Sequence, residues 1–241
     1  MDKHPEFNAS AAADESKLGE IQAALKLIHQ PGVVVELRAL EVAFNPNHRT
    51  TWSGYFNNME KLARSALRFS GHAAGVYGTL NPVDPDLLAR AENLVIQSPK
   101  QTTTDRDIIH RNWFPIDFDP IRKSGISATD EERRVALDCM YACRQWLEDQ
   151  GWPRPLVADS GNGYHLLYRI DLDNNDAATR LIQDALRALA SRFSNGQVEI
   201  DTKTFNAARI WKLYGTAACK GSSTSDRPHR LAKLMDVPGG Q

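Results

Sequence analysis

Asn112-Trp113-Phe114-Pro115-Ile116-Asp117-Phe118-Asp119-Pro120 is a short apolar run broken by two acids and closed by a proline that cannot continue a hydrogen-bonded ladder. Read as a strand, its period of two sets Asp117 and Asp119 on one face and turns Phe118 toward a core on the other. Downstream, Thr129 and Glu132 form a capping box. The box opens a helix through Val135, Leu137, Met140, Cys143, Trp146 and Leu147 that stops at Gly151. Leu156-Val157-Ala158 runs into the turn Asp159-Ser160-Gly161-Asn162-Gly163, and Tyr164-His165-Leu166-Leu167-Tyr168-Arg169-Ile170 runs out of it as a hairpin. A helix over residues 176–193, with Leu181, Ile182, Leu186 and Leu189 on its apolar face, leads to the strand Val198-Glu199-Ile200-Asp201. Arg209-Ile210-Trp211-Lys212-Leu213-Tyr214-Gly215 is the predicted partner of that strand.

Upstream, residues 1–15 are polar and Ala-rich without a sustained apolar face and are expected to form a disordered leader. Leu18, Ile21, Leu25 and Ile28 recur at helical spacing from Ser16 onward, and the helix should end before Pro31-Gly32. Val33-Val34-Val35-Glu36-Leu37-Arg38 and Thr51-Trp52-Ser53-Gly54-Tyr55-Phe56 read as strands that pair through a polar turn at residues 45–48. Asn57 or Asn58 caps a helix through Leu62, Ala66 and Leu67, and Gly75-Val76-Tyr77-Gly78-Thr79-Leu80 is a buried strand. A further helix is expected over residues 85–93. The Thr-rich loop 98–107 has no periodicity and divides the chain into a subregion of about 16–105 and a second of about 106–230, with a tail over 231–241. The element order predicts an α+β fold, a largely antiparallel sheet with helices packed on one face, preceded by a smaller N-terminal α/β subregion.

Composition excludes some classes. The 241 residues carry 29 Lys and Arg against 30 Asp and Glu, so no global basic field marks a nucleic-acid partner, and any such site has to be a local groove. Cys139, Cys143 and Cys219 lack C-x-x-C spacing, so no zinc is expected; Cys139 and Cys143 read as packing residues in a reducing cytoplasm. No apolar run approaches the roughly 20 residues that span a bilayer, and the expectation is a soluble cytoplasmic chain without a membrane partner.

Two like charges at Asp117 and Asp119 are costly side by side unless a cation neutralises them, which suits Mg²⁺ or Mn²⁺ with their preference for hard oxygen ligands. The plainer reading is a pair of solvated acids at a strand end. Asp201, at the end of its own apolar strand, supplies a third carboxylate, and three convergent acids can hold two metals for nucleotidyl transfer; alone it is a turn former. Ser160-Gly161-Asn162-Gly163-Tyr164-His165 joins a glycine-rich turn, whose amides can approach an anion, to a histidine on the outgoing strand. A two-glycine hairpin with a structural histidine would look the same.

In their order and spacing, Asp117-Phe118-Asp119, Ser160 through Tyr164-His165, and Ile200-Asp201 resemble the three motifs of the archaeo-eukaryotic primase superfamily. The stretches from Val157 to Tyr168 and from Phe205 to Gly215 are similar to its phage- and plasmid-associated primase-polymerase branch. The resemblance implies a modified RNA-recognition-like (RRM-like) sheet with Asp117, Asp119 and Asp201 as ligands of two divalent metal ions, and His165 on the incoming triphosphate. It also puts Arg209 and Lys212 near the nucleotide phosphates, with Ser160 and Asn162 at the turn. The branch often shows a stretch like Arg227-Pro228-His229-Arg230, which adds Arg227 and His229 to the nucleotide-binding candidates, although a solvated loop accounts for them as well. Arg106, Arg111, Arg122 and Lys123 are placed to meet template or primer or to be surface charge. Trp52, Tyr55 and Trp113 are placed to stack bases or to pack in the core.

The function so implied is template-dependent nucleotidyl transfer, as DNA primase, DNA polymerase or both, with single-stranded DNA, a primer and ribo- or deoxynucleoside triphosphates as partners. Because such cores are often followed by a zinc module or a helicase, a helicase on the same or another chain is an expected partner and the chain is read as a catalytic fragment of a larger replication protein. Two other readings keep the same residues: a metal-dependent nuclease, and a non-catalytic module that binds single-stranded nucleic acid in replication initiation.

Overall fold

The computed structural model describes residues 5–45 and 48–238. Helix α1 (Pro5–Ile28) leads into an antiparallel pair, β1 (Val35–Asn45) and β2 (His48–Phe56). Asn58 then caps α2 (Met59–Phe69) by accepting from the Lys61 N–H, and β3 (Gly75–Thr79) returns beside β1. After a 3-10 turn at Pro85–Arg90 comes the edge strand β4 (Ile96–Gln97). The second half runs β5 (His110–Pro120), α3 (Asp130–Asp149), β6 (Leu156–Asp159), β7 (Tyr164–Asp173), α4 (Asp176–Phe193) and β8 (Val198–Ile200). Four short strands follow: β9 (Ile210–Lys212), β10 (Ala217–Ala218), β11 (Arg230–Leu231) and β12 (Lys233–Asp236).

These elements build an α+β fold with two five-stranded sheets and one two-stranded ladder. The sheet of the second half has the order β12-β6-β7-β5-β8, every pair antiparallel. Within it, β5-α3-β6-β7-α4-β8 is a split β-α-β repeat, with β7 and β5 in the middle. The capping box of Thr129 and Glu132 opens α3 as expected. Met140, Cys143 and Leu147 of α3 and Ile182, Leu186 and Leu189 of α4 pack on Phe114, Ile116, Phe118, Leu166 and Tyr168, so one face of the sheet is core. Phe118 is fully buried there, and the alternation leaves Asp117 and Asp119 on the other face.

The N-terminal sheet has the order β4-β2-β1-β3-β9. Its apolar face, with Val35, Leu37, Ala39, Phe56 and Val76, packs on Ile21 and Leu25 of α1 and on Leu62, Ala66 and Phe69 of α2. Glu36 lies on the opposite face, fully buried, bound by the guanidinium of Arg38, the hydroxyl of Ser53 and the N–H of Thr103.

The structure corrects several expectations. Strand β9 does not pair with β8; it joins β3 through Tyr77↔Lys212 and Thr79↔Ile210, so the C-terminal half completes the N-terminal sheet. Helix α1 reaches back to Pro5 through part of the expected leader, since alanine is the strongest helix former and needs no apolar face; residues 1–4 lie outside the described residues. The expected tail contributes β11 and, through Lys233↔Asp159 and Leu234↔Ala158, the edge strand β12; residues 239–241 lie outside the described residues. The helix expected over 85–93 is the 3-10 turn, and the loop 98–107 is tied down where Thr103 meets Glu36. Leu181 is 60% exposed, off the apolar stripe of Ile182 and Leu186. Residues 46 and 47 of the expected turn lie outside the described residues. Among the described residues no helix is long and apolar enough to cross a membrane.

Candidate active site

A cleft of about 330 Å³ opens between the two sheets, lined among others by Asp117, Asp119, Ser160, Asn162, His165, Asp201, Arg209, Lys212, Lys220 and Tyr77. One wall comes from the second sheet. Strand register sets Asp117 opposite His165 and Phe118 opposite Ile200, and the N–H of Asp201 donates to the carbonyl of Asp117 at 3.1 Å. The three acids are thus brought together by adjacent strands. The other wall is β9 with the residues on either side of it, which carry Arg209, Lys212 and Lys220. The structure therefore gathers the predicted acids, histidine, turn and two cations into one place from opposite sheets.

The acids differ in how they are satisfied. Oδ1 of Asp117 is buried without a hydrogen-bond partner, and the Nε2 of His165 stands 3.4 Å from it, too far for a good hydrogen bond. Burial opposes its ionisation, but the adjacent His165 ring and the positive charges of Lys220 and Arg209 hold its carboxyl below the usual range. Asp119 is pushed the other way, by burial and then by the charge of Asp117 beside it, with Lys220 and Arg122 compensating only in part. Asp201 is fully engaged: Oδ1 accepts from the Lys203 N–H and Oδ2 from Nη2 of Arg209, each at 2.8 Å.

An orphaned carboxylate oxygen beside a second acid that resists ionisation is the donor set a hard divalent cation would neutralise. Asp117 and Asp119 fit such an ion as they stand, whereas Asp201 fits it only by releasing Arg209. Accordingly, among the described residues no three His, Cys, Asp or Glu side chains already form a metal cage.

On the basic wall, Lys212 is buried, its Nζ donating to the carbonyl of Ala217 at 2.7 Å and lying 5.5 Å from the centre of the Tyr77 ring. Burial and the neighbouring Lys220 lower its pKa to about 7. Such an ammonium, with no carboxylate partner among the described residues, is poised for an anion.

The Ser160 turn departs from expectation. Its amides are spent internally: Gly161 N–H donates to Oδ1 of Asp159 at 2.7 Å, and those of Asn162 and Gly163 donate to the Ser160 hydroxyl at 3.3 and 2.9 Å. Asp and Ser side chains commonly bond backbone amides two or three residues on in such turns. The turn is further fixed by Asn162, whose Oδ1 accepts from the Ala128 N–H. Ser160 and Asn162 thus shape the wall, and the amides do not face the cleft as free anion donors.

Arg227 and His229 are not brought to the cleft lining. Arg227 forms a two-pronged pair with Glu132, at 2.8 Å to each oxygen, and His229 Nε2 lies 3.0 Å from the Gly221 carbonyl. Arg111 is buried on Asn174, Phe205 and Thr179, and Arg122 holds the carbonyls of Pro120 and Ile126. Tyr55 and Trp113 are core residues, and Trp52 packs on Phe44 and Phe69. Lys220 opens a basic stretch running to Arg230 whose sequence suits phosphate or template-backbone contact, and it lines the cleft. Trp211 and Tyr214, which enclose His165, were missed; nothing in the pattern of β9 separates them from ordinary core aromatics.

No family model matches the chain, and no curated protein matches it. Among solved structures the fold is similar to that of a protein described as primase RepB′, at a TM-score of 0.49 and 12% identity, over 93% of this chain and 57% of that one. The chain thus spans little more than half of that structure's length.

Proposed function

We propose that the chain is a template-dependent nucleotidyltransferase, a DNA primase, DNA polymerase or both, that joins nucleoside triphosphates on single-stranded DNA. The observation that carries this reading is the meeting, in one cleft, of Asp117, Asp119, Asp201 and His165 on one wall with Arg209, Lys212 and Lys220 on the other. Cations facing acids across a gap suit a polyanion that arrives with its own counter-cations, and the acids follow the motif order that resembles the primase superfamily.

Held by Asp117, Asp119 and Asp201, divalent Mg or Mn would supply Lewis-acid activation and charge neutralisation. The side chains account for the rest. Lys212 and Lys220 neutralise triphosphate oxygens, His165 donates to one of them, and Arg209 exchanges Asp201 for phosphate. In-line attack of a 3′-hydroxyl, its proton passing to solvent, forms the new O–P bond at the α-phosphorus as the bond to the β-phosphate breaks and pyrophosphate departs. The wall's contribution is position and preset charge. A nuclease has no incoming triphosphate to hold, so nucleotide binding at His165, Arg209 and Lys212 separates the two readings.

The test is incorporation of labelled ribo- and deoxynucleotides on single-stranded DNA with Mg²⁺ or Mn²⁺, primed and unprimed, beside an Asp117→Ala/Asp119→Ala control. Metal-dependent products lost in the control are expected, and unprimed products identify a primase. Strand binding with no incorporation under any condition would instead give the non-catalytic module.

A further inference from the structure

His165 is 4% exposed and its ring lies on Trp211, ring centres 4.3 Å apart. Its Nδ1 is 2.8 Å from the hydroxyl of Tyr214, and that oxygen accepts from the indole Nε1–H of Trp211 at 2.9 Å. An indole N–H only donates, so the phenol oxygen is an acceptor toward Trp211 and still has its own proton to place. Among the described residues, its hydrogen-bond partners are Trp211 and Nδ1 of His165 alone. Tyr214 is buried, which keeps water from the hydroxyl and pushes its pKa up, so it remains a phenol with a proton to donate.

We propose that Tyr214 is a positioning residue that sets the tautomer of His165: its O–H donates to Nδ1, and the ring proton resides on Nε2, facing Asp117 and the cleft. The opposite tautomer fails twice. With the proton on Nδ1, the phenol oxygen would receive two donors while its own proton had no acceptor in a dry site. The bare Nε2 would also face Oδ1 of Asp117, 3.4 Å away, lone pair against lone pair. Trp211 serves the arrangement from behind, since its N–H occupies the phenol oxygen and directs the phenol proton toward the imidazole. His165 then offers an N–H to an anion while neutral, as an outer partner does when it fixes a histidine by bonding its other nitrogen.

The use of that N–H for a phosphate oxygen rests on the proposed function; the tautomer does not. The experiment is a long-range ¹H–¹⁵N spectrum of the full chain at about pH 9, where an ordinary imidazole is neutral, with the His165 signals identified by their loss in His165→Gln. The expected result is a protonated Nε2 and a bare Nδ1; a proton on Nδ1 overturns the proposal, and this reading needs no other variant to fold. In Tyr214→Phe the Nδ1–H form should gain population, and nucleotide KM should rise about tenfold with a smaller change in kcat. An unchanged tautomer in that variant overturns the proposal. The expected tautomer shift, with KM unmoved in both Tyr214→Phe and His165→Gln, supports the positioning role and overturns the nucleotide role of His165.

Discussion

A β-carbon on Gly163 would stand 3.1 Å from the carboxylate oxygen Oδ1 of Asp119, and only 2.3 Å from the carbonyl oxygen of Phe118. The turn that leads into His165 is therefore pressed against the strand that carries the acids, and only glycine permits that approach. Gly163→Ala must part the two, at about 1–3 kcal/mol in line with other overpacked sites, and nucleotide incorporation should fall further than stability does. Gly196→Ala is the control, since its added carbon meets nothing within 4 Å. Urea denaturation of both variants checks this; equal midpoints would show that the turn yields without cost.

Asp117 and Asp119 repel each other across one strand face, which predicts a trade of stability for function. Asp119→Asn removes a charge that burial and its neighbour both oppose, so its melting temperature should exceed that of the parent chain without metal while incorporation is lost. Mn²⁺ should raise the melting temperature of the parent chain and leave Asp117→Asn/Asp119→Asn unmoved. An equal rise in both would place the ion elsewhere.

These expectations rest on the part of the molecule that was most legible beforehand. The capping box at Thr129, the hairpin at Gly161 and Gly163, and the bounds of α4 depend on neighbours in sequence, and each falls where its residues put it. The partner of β9 was misread because a three-residue strand encodes no choice between β8 and β3. That choice is made by Trp211 and Leu213, which bury against different cores, and by Lys212 opposite Tyr77. For the same reason the acids and His165 could be singled out from their local motifs, and the structure places them in one cleft. The relay from Trp211 through Tyr214 could not be, because it joins β9 and the turn after it to β7 across the cleft.

Arg209 separates binding from folding. Its pair with Asp201 is partly exposed, at 39% and 25% of the two side chains, so by the usual worth of such pairs its loss should cost about 1 kcal/mol or less. Its proposed exchange of Asp201 for phosphate is worth more. Arg209→Ala should melt close to the parent chain yet lose about tenfold or more in kcat/KM, mostly through KM, by analogy with removal of a charge-assisted contact. Steady-state kinetics at varied nucleotide decide the matter, and an unchanged KM would leave Arg209 as a structural clasp on Asp201.

Lys212 gives the chain a pH dependence whose sign follows from its burial. An unfolded lysine titrates near pH 10.4, whereas here burial, and secondarily Lys220, bring the value down to about 7. Below about pH 7 both states are protonated and the full cost of the buried charge is present. Between there and about pH 10 the unfolded chain binds the extra proton, so this group makes stability rise with pH. Lys212→Met should flatten that rise in urea titrations at pH 6, 7.5 and 9, and should be the more stable chain at pH 6. A bound triphosphate reverses the preference by favouring the ammonium, so binding at pH 8 should take up a proton. Calorimetry in two buffers of different ionisation enthalpy reads that proton directly; if the apparent enthalpy is the same in both, Lys212 does not meet the nucleotide.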